Sequence, residues 1–321
     1  TRARPPLDQL ELSPTLYLKD LQKEREKKGE KVFKWGFGQS AYPPPKCLQK
    51  ALAEYSYKNE YVETGGLPEL RQAISNFYLR NHDLQLPWES LLIFPGSKNA
   101  LYHFLRVVER GTLLLPQPSW VSYAPQAILN EHRPYWIPTK EENQYKLTPE
   151  ALSLAVAPLT DSSPLYLLLN SPNNPTGVVY TDEELQALTE VCREKKILIL
   201  FDSIYAHTND FLGNPTAFPN KYYPEGTLVT GGLSKIFSSG GYRLGFISLP
   251  SSLSGITEKM EVLMSETISC VTTPIQMAAL SCYQQEKDKE ISHYLSLTQK
   301  GNRLASFSLY EKFSALELTL P

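Results

Sequence analysis

A lysine can attack a carbonyl only when its amine is neutral and held against the carbonyl carbon. Lys235 lies in a setting suited to both conditions. It ends the run Gly231-Gly-Leu-Ser-Lys235, a Gly-rich turn that permits close backbone approach, and Gly240-Gly241-Tyr242-Arg243-Leu244-Gly245 comes shortly after it. A guanidinium at Arg243 could grip a phosphate through two parallel hydrogen bonds. Asp202-Ser-Ile-Tyr205 offers a carboxylate and a phenol from neighbouring positions. A buried carboxylate beside a protonated pyridine nitrogen keeps that nitrogen positive and makes the ring an electron sink; taken alone, Asp202 could equally cap a following helix. In Asn170-Ser-Pro-Asn-Asn-Pro-Thr-Gly177, two prolines around Asn173-Asn174 hold an amide in a fixed direction. Gly96-Ser97-Lys98-Asn99-Ala100 opens a helix whose first amides and dipole favour an anion, although Ser97 also suits an ordinary N-cap.

These groups must be positioned by the elements between them. Leu91-Leu-Ile-Phe94, Thr112-Leu-Leu-Leu115, Leu165-Tyr-Leu-Leu-Leu169, Ile197-Leu-Ile-Leu-Phe201, Thr227-Leu-Val-Thr230 and Leu244-Gly-Phe-Ile247 are short, nearly continuous apolar runs. Helical patterns separate them, as over 97–109. Such runs predict a sheet buried on both faces and mostly parallel, and the class is α/β. Ligands in such sheets bind beyond the carboxyl ends of the strands, where Asn170, Asp202 and Ser234-Lys235 all fall. Helices are further predicted over 17–28, 251–261 and, as one long element, from Pro274 towards Lys300. An extended segment is expected over 31–38, and Tyr42-Pro-Pro-Pro45 reads as an arm crossing a surface. The final residues from Leu316 read as a strand that begins and then stops.

With 321 residues, 41% of them hydrophobic, the chain can bury a large core and a smaller companion domain. Its formal charge of −2, with both signs mixed throughout, gives no basic field for nucleic acid or anionic lipid, so a small-molecule partner is favoured. The cysteines (Cys47, Cys192, Cys270, Cys282) are scattered without a CxxC pair, and the five histidines do not join them at metal-ligand spacing, so no metal is expected. No apolar run is long enough to span a bilayer and no signal peptide is evident, which predicts a cytoplasmic protein without membrane partners.

Asn-Asn-Pro-Thr-Gly, Asp-x-x-Tyr, and Ser-Lys followed by Gly-x-Arg-x-Gly occur here in the order in which the class I/II aminotransferases carry them. Between about Ser13 and Gly245 the chain resembles that family of fold type I pyridoxal-phosphate enzymes, most nearly its bacterial aspartate aminotransferase branch. The resemblance implies that Lys235 holds pyridoxal 5'-phosphate as a Schiff base, that Asp202 meets its pyridine nitrogen, and that Asn174 and Tyr205 bond its phenolic oxygen. It implies a phosphate held by Arg243, Ser97 and Ser234 at the Gly96 turn, with Trp120 on the ring face; without the resemblance, Trp120 reads as a core aromatic. Tyr61, in Tyr61-Val-Glu-Thr-Gly-Gly66, matches the tyrosine lent to the phosphate of a neighbouring subunit, which implies a homodimer. Gly38 matches a loop that closes over bound substrate. Lys98, with Ser13 and Thr15 of a partner's arm, is placed to meet the distal carboxylate of an acidic substrate, or is simply a solvated first-turn lysine.

The implied activity is transfer of an amino group between an L-amino acid and a 2-oxo acid, with Lys235, Asp202 and Tyr205 as the catalytic set and Gly38, Asn174, Trp120 and Lys98 facing substrate. A carbon–sulfur β-lyase or an aminocyclopropane-carboxylate-type synthase would share the same cofactor residues. A non-catalytic regulatory domain would need a basic helix-turn-helix module, which the residues before Tyr61 do not show. The expected organisation is an N-terminal arm and part of a small domain over 1–45, a large cofactor-binding α/β domain over 46–270, and a linking helix over 271–321 that starts an incomplete C-terminal small domain. The family's arginine for the substrate α-carboxylate is expected beyond Pro321.

Overall fold

The computed structural model describes residues 5–8, 10–11, 13–32, 38–159, 162–208 and 216–314. Seven strands form one sheet: β1 (Leu91–Phe94), β2 (Thr112–Gln117), β3 (Arg133–Pro138), β4 (Leu165–Asn170), β5 (Leu198–Asp202), β6 (Thr227–Gly232) and β7 (Gly245–Ser248). Their spatial order is β1-β7-β6-β5-β4-β2-β3. The five strands from β3 to β6 run parallel, while β7 is antiparallel to both of its neighbours. The reversal comes from the connection: residues 233–244 turn back where β6 ends, with the Leu233 amide bonding the Leu244 carbonyl at 3.1 Å.

Helices α1 (Pro5–Asp8), α2 (Pro14–Lys27), α3 (Lys46–Tyr55), α4 (Pro68–His82), α5 (Ser97–Val107) and α6 (Tyr123–Leu129) belong to the first half. In the second half lie α7 (Pro149–Val156), α8 (Asp182–Glu194), α9 (Leu233–Ile236), α10 (Ser254–Thr267), α11 (Thr273–Tyr283) and α12 (Asp288–Ser314). The near-continuous apolar strands are explained by the two cores they separate. Leu91, Ile93, Leu114, Leu167, Leu169, Ile199, Phe201, Val229 and Phe246 join one core with residues of α3, α4 and α11. Their alternates Leu92, Phe94, Leu113, Leu115, Leu168, Leu200, Leu228 and Ile247 join the other with residues of α5 and α10. Successive side chains of a strand point to opposite faces, so a sheet covered on both sides needs an apolar residue at nearly every position.

Two expectations need correction, and one strand was not among those expected. That strand is β3, an edge strand paired only with β2, where the missing donors of Pro134 and Pro138 are tolerated. The helix expected to run unbroken from Pro274 is two, since α11 stops at Tyr283 and residues 284–287 turn the chain before α12. Ser97 is not an N-cap: Gly96 holds that position with φ of 89°, and Ser97 is the first helical residue. Most of the segment expected to be extended over 31–38, and the strand expected from Leu316, lie outside the described residues.

Candidate active site

Because β2, β4, β5 and β6 are parallel and β1 points the same way, their carboxyl ends deliver their loops to one edge of the sheet. Asn170 ends β4 and stands in register with Asp202 at the end of β5, which is in register with Thr230 of β6. Lys235 follows in the short α9. Gly96 and Ser97 come off β1 at that edge, and Arg243 leads into β7 there.

Asp202 is 3% exposed, and three donors from the chain address it. Tyr123 Oη donates to Oδ2 at 2.8 Å, Thr230 Oγ1 to Oδ1 at 3.2 Å, and the Ile204 amide to Oδ1 at 3.3 Å. The last bond is the local cap that an isolated aspartate would make; the other two come from helix α6 and strand β6 and tie the carboxylate into the site. Burial raises the carboxyl's pKa, and the Tyr123, Ile204 and Thr230 donors, then the Lys235 charge, oppose it. Lys235 is half-buried. Burial lowers its pKa, against the pull of the Asp202 charge. Its Nζ donates to the Gly38 carbonyl and lies 5.6 Å from the centre of the Tyr205 ring. A Cβ on Gly38 would come within 3.2 Å of that Nζ, a tight contact that the lysine end would have to give way to.

Asn174 reaches the same place by a relay. Asn170 Nδ2 donates to the Asp202 carbonyl at 2.7 Å, and Asn170 Oδ1 accepts from the Asn174 amide at 2.8 Å. Asn174 Nδ2 then lies 3.5 Å from Tyr205 Oη. Burial, and secondarily the Asp202 charge, pushes the Tyr205 phenol up to about 12. It therefore remains a hydrogen-bond donor at neutral pH.

At the other end of the site two cations meet the start of α5. Arg243 Nη1 donates to the Gly240 carbonyl at 2.8 Å and Nη2 to the Pro95 carbonyl at 3.2 Å. A Cβ on Gly96 would fall 2.6 Å from Nη2, and one on Gly245 would fall 2.3 Å from the Ser97 amide. Glycine at both positions is what lets the guanidinium and the helix start close up. Lys98 keeps much of its surface accessible, yet its Nζ lies 5.1 Å over the Trp120 ring, and burial, then the Arg243 charge, lowers its pKa. Among the described residues neither cation pairs with a carboxylate. Two cations beside a helix N-terminus, neither paired with a carboxylate among the described residues, favour an anion there.

The structure thus brings together Gly38, Gly96, Ser97, Lys98, Trp120, Asn174, Asp202, Tyr205, Ser234, Lys235 and Arg243. Ser234 is half-buried beside Lys235. Tyr61, at 86% exposed, stands apart from this group within its own chain. Ser13 precedes α2, and the side chain of Thr15 lies outside the described residues. Sequence reading missed Tyr123 and Thr230 as site residues. Tyr123 was visible only as the last residue of Pro118-Ser-Trp-Val-Ser-Tyr123, and nothing in that motif announces a bond to an aspartate 79 positions away.

A buried carboxylate and an amine of lowered pKa at one end, with an anion cradle at the other, fit an aromatic cationic ring bearing both a carbonyl and a phosphate. That is the donor set of a pyridoxal-phosphate enzyme on an α/β sheet. Residues 30–309 match the family model for aminotransferase class I and II, and the chain belongs to that family. The aspartate aminotransferase of Geobacillus stearothermophilus is 32% identical over 278 residues, 84% of this chain and 69% of that protein. An asparagine–oxo-acid transaminase of Streptococcus mutans is 31% identical over 287 residues, 87% of this chain and 71% of the other. In structure, the Thermus thermophilus aspartate aminotransferase with maleate superposes with a TM-score of 0.90 at 24% identity, covering 99% of this chain and 82% of that one. The fold is that of fold type I, and the protein is a pyridoxal-phosphate-dependent aminotransferase. No helix among the described residues is long and apolar enough to cross a membrane.

Proposed function

We propose that Lys235 is the catalytic amine of an aminotransferase whose amino donor carries an acidic side chain. In this reading Asp202, Tyr205 and Asn174 orient the cofactor ring, while Arg243, Ser97, Ser234 and the Gly96 turn hold its phosphate. The observation that carries it is the electrostatic facing of Lys235 and buried Asp202, with two cations gathered at the start of α5.

Pyridoxal phosphate, when bound, supplies the electron sink that makes a Cα–H bond of an amino acid acidic. The chain supplies charge and proton transfer. Burial brings Lys235 Nζ nearer neutrality than a surface lysine, so Nζ can take the substrate Cα proton and give it back. Asp202 holds positive charge at the ring nitrogen. Tyr205 Oη and Asn174 Nδ2 would donate to the phenolic oxygen of the bound cofactor, and Trp120 would lie against its ring. Gly38 contributes the carbonyl that accepts from Lys235 Nζ.

The acidic donor rests on Lys98, whose Nζ lies 5.1 Å over the Trp120 ring and near enough to Arg243 for that charge to lower its pKa. With Ser13 and Thr15 from the arm of a second copy, it would meet a distal carboxylate. The active unit is then a homodimer, consistent with Tyr61 standing 86% exposed and free to reach a neighbouring phosphate. Residues 1–45 act as the arm, 46–270 as the cofactor-binding domain, and 271–321 as the link to a small domain. All four cysteines are free thiols, which suits a cytoplasmic protein.

The test is a donor screen that follows loss of the visible absorption of the bound cofactor. Aspartate and glutamate are expected to react fastest. Lys98→Ala should lose about 10- to 100-fold in kcat/KM on aspartate, the worth of a hydrogen bond to a charged group, and little on aromatic donors. Equal losses on both would remove the acidic-donor assignment. Arg243→Ala should weaken pyridoxal phosphate binding by about 10- to 100-fold on the same grounds, and leave affinity for unphosphorylated pyridoxal unchanged, as read by fluorescence titration. Parallel weakening of both ligands would show that Arg243 does not serve the phosphate.

A further inference from the structure

A carboxylate offers about four lone-pair sites, and those of Asp202 are unevenly filled. Among the described residues Oδ1 accepts twice, from Thr230 Oγ1 at 3.2 Å and the Ile204 amide at 3.3 Å, whereas Oδ2 accepts once, from Tyr123 Oη at 2.8 Å. The open acceptor site is therefore on Oδ2, the oxygen that Tyr123 also addresses. Tyr123 itself is 2% exposed, begins α6, and is fixed edge-on to Trp120 with ring centres 5.2 Å apart at 82°. It cannot leave Asp202 without moving the aromatic wall of the site.

We propose that Tyr123 is a positioning residue for the aminotransferase reaction: its hydroxyl holds Asp202 Oδ2 ionised and aimed at the cofactor's ring nitrogen, while Thr230 braces Oδ1. The proposal rests on the assignment of Asp202 to that nitrogen. Between a carboxylate and a pyridinium the shared proton sits on whichever partner is the stronger base. A donor on Oδ2 makes the oxygen the weaker one and leaves the proton on nitrogen. Without it the proton moves to Oδ2, the nitrogen becomes neutral, and the electron sink weakens. The other titratable groups facing the carboxylate are Tyr78, Tyr205 and Lys235. Burial pushes Tyr78 and Tyr205 up to about 12, so they remain neutral at working pH. Lys235 acts alike in every variant below.

The experiment is 15N NMR of pyridoxal phosphate labelled at the ring nitrogen and bound to the purified protein. In the wild type the resonance should lie at the protonated position. Tyr123→Phe should still bind the cofactor but shift the resonance towards neutral pyridine, with a fall in kcat larger than any change in KM. Thr230→Val should shift it the same way by less, and Thr230→Ser, which keeps the hydroxyl, should leave it in place. A merely structural role for Tyr123 would lower thermal stability without moving the resonance. If Tyr123→Phe folds and gives the wild-type shift, or if Tyr123→Phe fails to fold and Thr230→Val gives no shift, the proposal is overturned alone. A wild type that binds no labelled cofactor, or binds it with a neutral nitrogen, overturns the assignment of Asp202 and this proposal with it.

Discussion

Lys235→Ala should abolish turnover while leaving a folded protein. The expected fall in kcat is at least about 1,000-fold, within the roughly 10²–10⁴ that a positioned general acid–base contributes and before any loss of covalent attachment is added. The magnitude follows from what surrounds the amine. Lys235 Nζ is partly desolvated, borders the Asp202 charge and bonds the Gly38 carbonyl, so a base free in solution lacks its fixed approach. Lys235→Arg is the sharper control. Arginine keeps the positive charge opposite Asp202 but does not deprotonate at working pH, so it should be nearly as inactive as alanine. Borohydride treatment of the loaded wild type should fix the cofactor on the peptide containing Lys235, and neither variant should be labelled. An alanine variant that interconverts amino and oxo acids at the wild-type rate would refute the role assigned to this residue.

The residues that can be placed from the chain alone are those that follow a strand directly. Asn170, Asp202 and Lys235 each come just after an apolar run, and in a parallel sheet that position means the ligand edge whatever the rest of the fold does. Tyr123 and Thr230 were not legible for a physical reason. Their importance lies in which side chain they meet, and that pairing is set by the register of β5 on β6 and by the packing of α6, neither of which leaves a local signature. The same holds for β3, whose prolines are permitted only because it ends up at the edge. The break between α11 and α12 is harder to read still. Residues 284–287 contain no glycine or proline to stop a helix. In the structure, Arg80 of α4 bonds both the Tyr283 carbonyl at the end of α11 and the Asp288 carboxylate at the start of α12. That bracket comes from a distant helix, and local propensity does not record it.

Asp202→Asn separates the stability of this site from its chemistry. An aspartate whose pKa is raised by burial is a destabilising group once ionised: its stabilising contribution is complete below the unfolded pKa and is lost as pH rises through the folded one. Near neutrality the protein without cofactor therefore bears the cost of a buried negative charge, which its three donors and Lys235 only partly offset. An asparagine removes that cost and can still be satisfied. Its Oδ1 can accept from the Ile204 amide and Thr230, and its Nδ2 can donate to Tyr123 Oη, whose hydroxyl is free to reverse. The variant without cofactor should thus melt at the wild-type temperature or above near pH 7, with the difference shrinking as pH falls and Asp202 becomes protonated. Activity should move the opposite way. The ring nitrogen loses its charged acceptor, so kcat should drop by about 100- to 1,000-fold, the scale of losing one preorganised electrostatic contact. Calorimetry across pH with parallel rate measurements tests both halves. If stability and rate fall together, Asp202 is a structural brace and its role at the ring is wrong; stability held or gained against a large loss of rate is what a carboxylate kept for charge, at the expense of the fold, must show.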